Sequence, residues 1–243
     1  MKALVTGAGG TLGPVLVEIL RAGGWDVVPW CRTVVSPEDP AACQSFLDRC
    51  RPDVCFHLAV GPVDWTGLLA DYAARRAIPF VHTSSVSVYG GHQTGPFSIH
   101  DVPEPQDDYG RYKKAGEDRI ADVYPGAVLV RIGWQIGLVP GANHMVDHLT
   151  RTQAEQGRIT ASRNWFQACS FLDDTARTLV ALAEGNLAGL VHLDANPGIS
   201  FYELVAGLKQ YLKTDWILDP SDEPALDNRL LDDRISIASV VRW

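Results

Sequence analysis

The sequence predicts an α/β fold, a doubly wound parallel sheet followed by a small C-terminal lobe. Three observations lead there. Short apolar runs alternate with helical stretches from the N-terminus onward, the rhythm of β-α units. A glycine-rich turn, Val5-Thr6-Gly7-Ala8-Gly9-Gly10-Thr11-Leu12-Gly13, joins the first run to the first helix. A chain of 243 residues, 46% of them hydrophobic, can also bury one substantial core and carry an appended lobe.

Residues 3–5 form an apolar run fit for a buried strand, and residues 14–22 read as a helix with Pro14 in its first turn. Glycines at this junction let the backbone turn tightly and approach a pyrophosphate. The free N–H groups and positive end of the helix face the anion. The turn therefore predicts a dinucleotide site. Residues 25–30 are the second strand, whose end is where a carboxylate holds the ribose hydroxyls of NAD. Here that end is Cys31-Arg32. No acid repels a 2′-phosphate and a guanidinium can pair with one, so NADP is favoured over NAD.

Residues 53–59 are the third strand, and His57 reads as a packed strand-end residue because no second ligand recurs nearby at metal spacing. Gly61-Pro62-Val63-Asp64-Trp65 then leads into a helix over residues 68–76. Residues 78–83 are the fourth strand and run into Ser84-Ser85-Val86-Ser87-Val88-Tyr89-Gly90. Hydroxyls at such a strand end commonly satisfy backbone groups, so alone they indicate no chemistry.

Downstream stands Tyr109-Gly110-Arg111-Tyr112-Lys113. Residues four apart share a helix face, which brings the Lys113 ammonium near the Tyr109 phenol. A phenol ionises near pH 10, and a neighbouring positive charge lowers that value toward the range useful for proton exchange. Lys113 is thus expected to tune Tyr109.

The glycine pattern Gly7-x-x-Gly10-x-x-Gly13 behind Thr6, and Tyr-Gly-x-x-Lys-x-x-Gly-Glu from Tyr109 to Glu117, resemble the short-chain dehydrogenase/reductase superfamily. The likeness is to its extended branch, which acts on nucleotide sugars. The resemblance implies a Rossmann-type doubly wound parallel sheet over residues 1–135 that binds NAD(P), and a substrate lobe over residues 136–243. A helix and strand at about 171–193 return from the lobe to the sheet. It also implies that Gly7, Gly9, Gly10, Thr11, Leu12, Gly13, Arg32, Leu58 and Ala59 hold the cofactor together with Tyr109 and Lys113. Ser85, four residues before Tyr89, becomes the hydroxyl that binds the substrate carbonyl, Tyr109 the proton donor, and Lys113 the group that holds the ribose and keeps Tyr109 acidic.

Among extended members, Val128-Leu129-Val130-Arg131-Ile132-Gly133-Trp134 looks closest to the dTDP-4-dehydrorhamnose reductases, as does Pro224-Ala225-Leu226-Asp227 in shortened form. By that likeness Trp134 could stack on a sugar ring or simply pack; a diphosphate would need cations, for which Arg151, Arg158 and Arg163 are the candidates in the lobe, Arg163 beside Trp165 foremost. Two departures stand out: a shortened segment after Ala59, expected to leave the adenine side open, and Tyr112 where the family often has Ser or Thr. Tyr112 reads as a packing residue whose hydroxyl could reach the site, and Asp173 or Asp174 as a helix cap. His144 and His148, one turn apart, read as an ordinary helix face.

The activity implied is an NAD(P)-dependent reduction of a keto group on a nucleotide-activated sugar. An epimerase of the same branch and a non-catalytic NAD(P)-binding regulatory subunit are the alternatives. A dehydratase is disfavoured because Val86 and Ser87, not acids, follow Ser85. The net charge of −8 argues against nucleic acid, and no apolar run reaches the ~20 residues of a membrane span. The N-terminus shows no basic region with a cleavage site, and five cysteines without C-x-x-C spacing read as reduced thiols, so a cytoplasmic enzyme is expected. A homodimer through the helices around Tyr109 is an expectation by analogy alone.

Overall fold

The computed structural model describes all residues, 1–243. Its strands in chain order are β1 (Lys2–Thr6), β2 (Asp26–Pro29), β3 (Val54–His57), β4 (Phe80–Ser85), β5 (Phe97–Ser98), β6 (Val128–Ile132), β7 (Trp134–Ile136), β8 (Ile159–Ser162), β9 (Trp165–Gln167), β10 (Cys169–Phe171), β11 (Gly189–Leu193), β12 (Leu218–Ser221), β13 (Leu226–Asn228) and β14 (Leu230–Leu231). The helices are α1 (Gly13–Ala22), α2 (Pro40–Cys50), α3 (Val63–Arg76), α4 (Asp108–Val123), α5 (Met145–Gln156), α6 (Leu172–Glu184) and α7 (Phe201–Leu212).

Six strands form one parallel sheet in the order β11-β6-β4-β3-β1-β2. Side chains of a strand alternate between faces, and both faces here are apolar. Ala3 and Val5 of β1 enter a core with Leu16 and Leu20 of α1 and Leu179 of α6, while Leu4 enters a second core with Trp65 and Leu69 of α3 and Ile120 of α4. A third cluster, centred on Ile136, Phe171, Leu204 and Trp216, holds the C-terminal elements together. There the strands only pair in twos: β7 with β10, β8 with β12 and β9 with β13. β11 returns to the large sheet beside β6, with Gly189 opposite Val128.

Several element boundaries differ from those expected. Helix α3 begins at Val63, five residues before the predicted start, because Trp65 and Thr66 are buried and their N–H groups already bond the Pro62 carbonyl. β4 runs on through Ser85, since Ser84 and Ser85 pair in register with Arg131 and Ile132 of β6. Neither Asp173 nor Asp174 caps α6: the position before the helix is Phe171, still paired within β10, and Asp174 instead bonds Arg242. His144 is not on an exposed face. It is buried and its Nδ1 caps α5 by accepting the Asp147 N–H, while the His148 ring packs edge-on against Trp134.

Candidate active site

The glycine turn closes on itself through a Gly10 N–H to Gly7 carbonyl bond of 2.9 Å. Gly7 has φ +73°, which favours glycine, and a Cβ there would meet the Ala59 nitrogen at 2.9 Å. No side chain caps the start of α1, so its first N–H groups face the turn with Pro14 lacking one anyway. This is a backbone cradle of the kind that binds a diphosphate.

A cleft of about 530 Å³ opens over this cradle. All eleven residues expected to hold the cofactor line it: the turn at Gly7, Gly9, Gly10, Thr11, Leu12 and Gly13, then Arg32, Leu58 and Ala59, then Tyr109 and Lys113. The sheet order explains their meeting, because β1, β3 and β4 are neighbours and their C-terminal ends share one edge. Ala8, Trp30, Val60, Thr83, Ser84, Ile132 and Gln135 also line the cleft, and sequence reasoning assigned none of them to the cofactor. Nothing in their residue types marks them as cofactor contacts, and they enter because strand ends converge.

Behind the turn, His57 is fully buried between Thr6 Oγ1 at 2.8 Å and Thr66 Oγ1 at 2.9 Å. Burial pushes its pKa down to about 3, and Lys113 and Arg32 act in the same direction. It is a neutral structural imidazole that ties β3 to β1 and α3. The Arg32 guanidinium donates to the Val60 carbonyl and lies 5.9 Å from the centre of the Trp65 ring. It therefore ties the segment after β2 to the shortened segment after Ala59. Tyr112 also reaches this segment, its hydroxyl accepting the Gly61 N–H at 2.9 Å.

Asp107 caps α4 through the Gly110 N–H at 2.6 Å, which places Tyr109 in the first turn and Lys113 one turn on. Lys113 is buried and donates to the Thr83 carbonyl at 2.8 Å, with Nζ 5.7 Å from the centre of the Tyr109 ring. Burial lowers its pKa to about 8, opposed by Glu117. Tyr109 does not show the expected lowering. Desolvation raises its phenol, with the Ser85 hydroxyl and its hydrogen bond opposing. The lysine ammonium is directed at the Thr83 carbonyl, and desolvation is the largest influence on the phenol.

Ser85 is buried; its Oγ accepts the Ser87 N–H at 3.1 Å and donates to the Ser87 hydroxyl at 3.1 Å. It thus caps a short 3₁₀ turn while standing beside Tyr109. Of the three residues expected to meet the substrate, Ser85 stands beside Tyr109 but does not itself line the cleft, and the other two lie elsewhere. Trp134 packs between His148 and Phe201, Arg163 lies over the Tyr202 ring at 5.3 Å, and neither lines the cleft. A second cleft of about 700 Å³ shares Gly9, Gly10 and Thr11 with the first and is walled by Leu138, Asn143 and Leu172.

Residues 62–217, more than half of the chain, match the family described as the RmlD substrate binding domain. A dTDP-4-keto-6-deoxy-D-glucose reductase of Streptomyces niveus is 28% identical over 222 residues, covering 83% of this chain and 75% of the relative. Among solved structures, a dTDP-4-dehydrorhamnose reductase of Bacillus anthracis in complex with NADP superposes with a TM-score of 0.84 at 18% identity, over 98% of this chain and 95% of that one. The enzyme WbmH of Bordetella bronchiseptica, in complex with NAD+, superposes with a TM-score of 0.81 at 17% identity, over 98% and 94%. The likeness extends from the parallel sheet through the paired strands of the lobe, and on the family match this chain belongs to the RmlD substrate-binding-domain family, within the extended short-chain dehydrogenase/reductases.

Proposed function

We propose that the protein reduces a keto group of a nucleotide-activated sugar with NAD(P)H, in the manner of a dTDP-4-dehydrorhamnose reductase. The observation that carries this is one cleft in which a glycine cradle, a tyrosine and a buried lysine meet. A nicotinamide dinucleotide held there would supply the hydride. Tyr109 Oη gives its proton to the oxygen of the reduced carbonyl, and Ser85 Oγ donates a hydrogen bond to the same oxygen, stabilising charge as it develops. Lys113 holds the ribose and supplies a positive charge close to Tyr109. In this reading residues 1–135 bind the dinucleotide and residues 136–243 the sugar, and a cytoplasmic location suits the free thiols of all five cysteines.

The deciding experiment is a titration with NADPH and NADH, followed by a panel of 4-keto nucleotide sugars while nicotinamide absorbance is recorded. Loss of absorbance that depends on the sugar is the expected result. Binding without oxidation would point instead to an epimerase that regenerates its dinucleotide, or to a regulatory subunit.

NADP is the favoured cofactor because Arg32 stands at the end of β2 with no acid beside it. Arg32→Ala is expected to weaken NADPH by about tenfold, the loss of one charge-assisted pair, and to leave NADH nearly unchanged. Equal losses for both dinucleotides would remove Arg32 from a 2′-phosphate site. Binding of either dinucleotide should weaken as pH rises through about 8, because the lowered pKa of Lys113 means that its charge is present below that value and lost above it. An affinity that stays flat from pH 7 to pH 9 would count against Lys113 as a ribose ligand.

Trp134 and Arg163 belong to one aromatic group of the lobe, since Phe201 packs on Trp134 and the adjacent Tyr202 carries Arg163. Arg163→Ala should raise KM for a nucleotide sugar by about tenfold with kcat little altered. An unchanged KM removes Arg163 from the substrate site.

A further inference from the structure

Beneath the Tyr109–Lys113 stripe lies a charged network that the reaction does not directly use. Glu117 follows Lys113 by one turn on α4, and both side chains are buried. The Arg131 guanidinium meets its carboxylate bidentately, Nε to Oε1 at 2.9 Å and Nη2 to Oε2 at 2.7 Å. The third nitrogen, Nη1, donates to the Tyr89 hydroxyl at 2.6 Å. Tyr89 OH also lies 3.1 Å from His192 Nε2 on β11 and 3.1 Å from the Ser98 carbonyl.

One guanidinium thereby joins the pieces that carry the proposed catalytic set. Through Glu117 it reaches α4, which bears Tyr109 and Lys113. Through Tyr89 it reaches the segment that leaves Ser85, four residues earlier. Arg131 itself sits on β6 opposite Ser84, one position before the Ser85–Ile132 pair. A planar fork fixes angles as well as distances, which a lysine or an apolar contact would not.

We propose that the buried Glu117–Arg131 pair is the positioning device of this active site, setting Ser85 against Tyr109 and serving, through Glu117, as the electrostatic partner of Lys113. The inference rests on the reading of Tyr109 and Lys113 as the proton-transfer pair. Besides Glu117, the titratable groups facing Lys113 are Tyr109 and Tyr112 on its own helix and the buried imidazoles of His57 on β3 and His82 on β4. Burial holds both imidazoles in the neutral form, so Glu117 supplies the negative charge that opposes desolvation of the ammonium.

The test compares wild-type protein with Glu117→Gln and with a Glu117→Met, Arg131→Met double variant. The double variant removes both members of the pair, so neither Arg131 nor Glu117 is left as an unpaired buried charge and only Lys113 loses its partner; paired apolar replacements of this kind are often neutral or stabilising. Lysine side-chain NMR on the free protein follows the titration of Lys113, identified by its absence in Lys113→Met. In either variant that folds, Lys113 should titrate at a lower pH than in wild type, and the basic limb of dinucleotide binding should move with it. In the double variant kcat should fall by about tenfold or more with KM little changed, because a small displacement of reacting groups costs that much. A folded variant with an unmoved Lys113 titration, or a double variant with wild-type kcat, would overturn the proposal. The NMR arm does not depend on turnover. If wild type failed to oxidise any dinucleotide, the reductase reading would fall, while the Lys113 titration would still decide the electrostatic partnership.

Discussion

Tyr109→Phe is expected to lower kcat by about 10²–10⁴-fold while leaving dinucleotide affinity nearly intact, the range measured for removal of a positioned acid. The phenyl ring keeps its place in the first turn of α4, which is fixed by the Asp107 cap and by burial of Gly110 rather than by the phenol. Tyr109 is 47% exposed, so losing its hydroxyl opens no buried cavity, and its buried neighbour Ser85 keeps its hydrogen bonds to Ser87. Single-turnover rates with pre-bound dinucleotide separate chemistry from binding. A rate within twofold of wild type would remove Tyr109 from the proton-transfer role, whatever the cofactor affinity.

The second large effect contrasts two glycines of one turn. In Gly13→Ala the new Cβ falls on the Gly7 carbonyl and comes within 2.6 Å of Ala8 Cα, backbone atoms that cannot yield without opening the cradle. Affinity for either dinucleotide should drop on the order of 10²-fold, with a cost in stability of about 1–3 kcal/mol from overpacking. In Gly9→Ala the Cβ meets nothing within 4 Å, so the fold should be undisturbed. Any loss of affinity there reports how closely the ligand approaches. Calorimetric titration together with thermal melts of both variants makes the comparison. A Gly13→Ala protein with wild-type melting and affinity would show that the turn is not built as described.

Much of the site was legible because its parts are local. The glycine spacing, the strand-to-helix junction and the Tyr109–Lys113 interval each lie within a few residues, and the physics that reads them is backbone geometry and helical period. The inner strands of the large sheet were legible as short runs rich in buried apolar residues, whereas edge strand β2 has no buried residue. Other features depended on neighbours distant in sequence. The early start of α3 follows from burial of Trp65 and Thr66, and the missing cap of α6 from pairing of Phe171 in β10. The upward shift of the Tyr109 phenol reflects desolvation that a four-residue spacing does not report.

What the sequence by itself determined is the set of groups available: a glycine cradle, an arginine in place of an acid after β2, and a serine, tyrosine and lysine in the order an extended reductase needs. Only the tertiary structure decided which of them meet. Parallel order brought the ends of β1, β3 and β4 to one edge, where Thr83 receives Lys113 and Ala59 closes on Gly7. It also placed Arg131 between Glu117 and Tyr89, residues 14 and 42 positions away, and left Trp134 and Arg163 outside the cleft. The division has one physical cause: period and propensity act over a turn or a strand, whereas burial and charge pairing are set by whichever elements the packed sheet brings together.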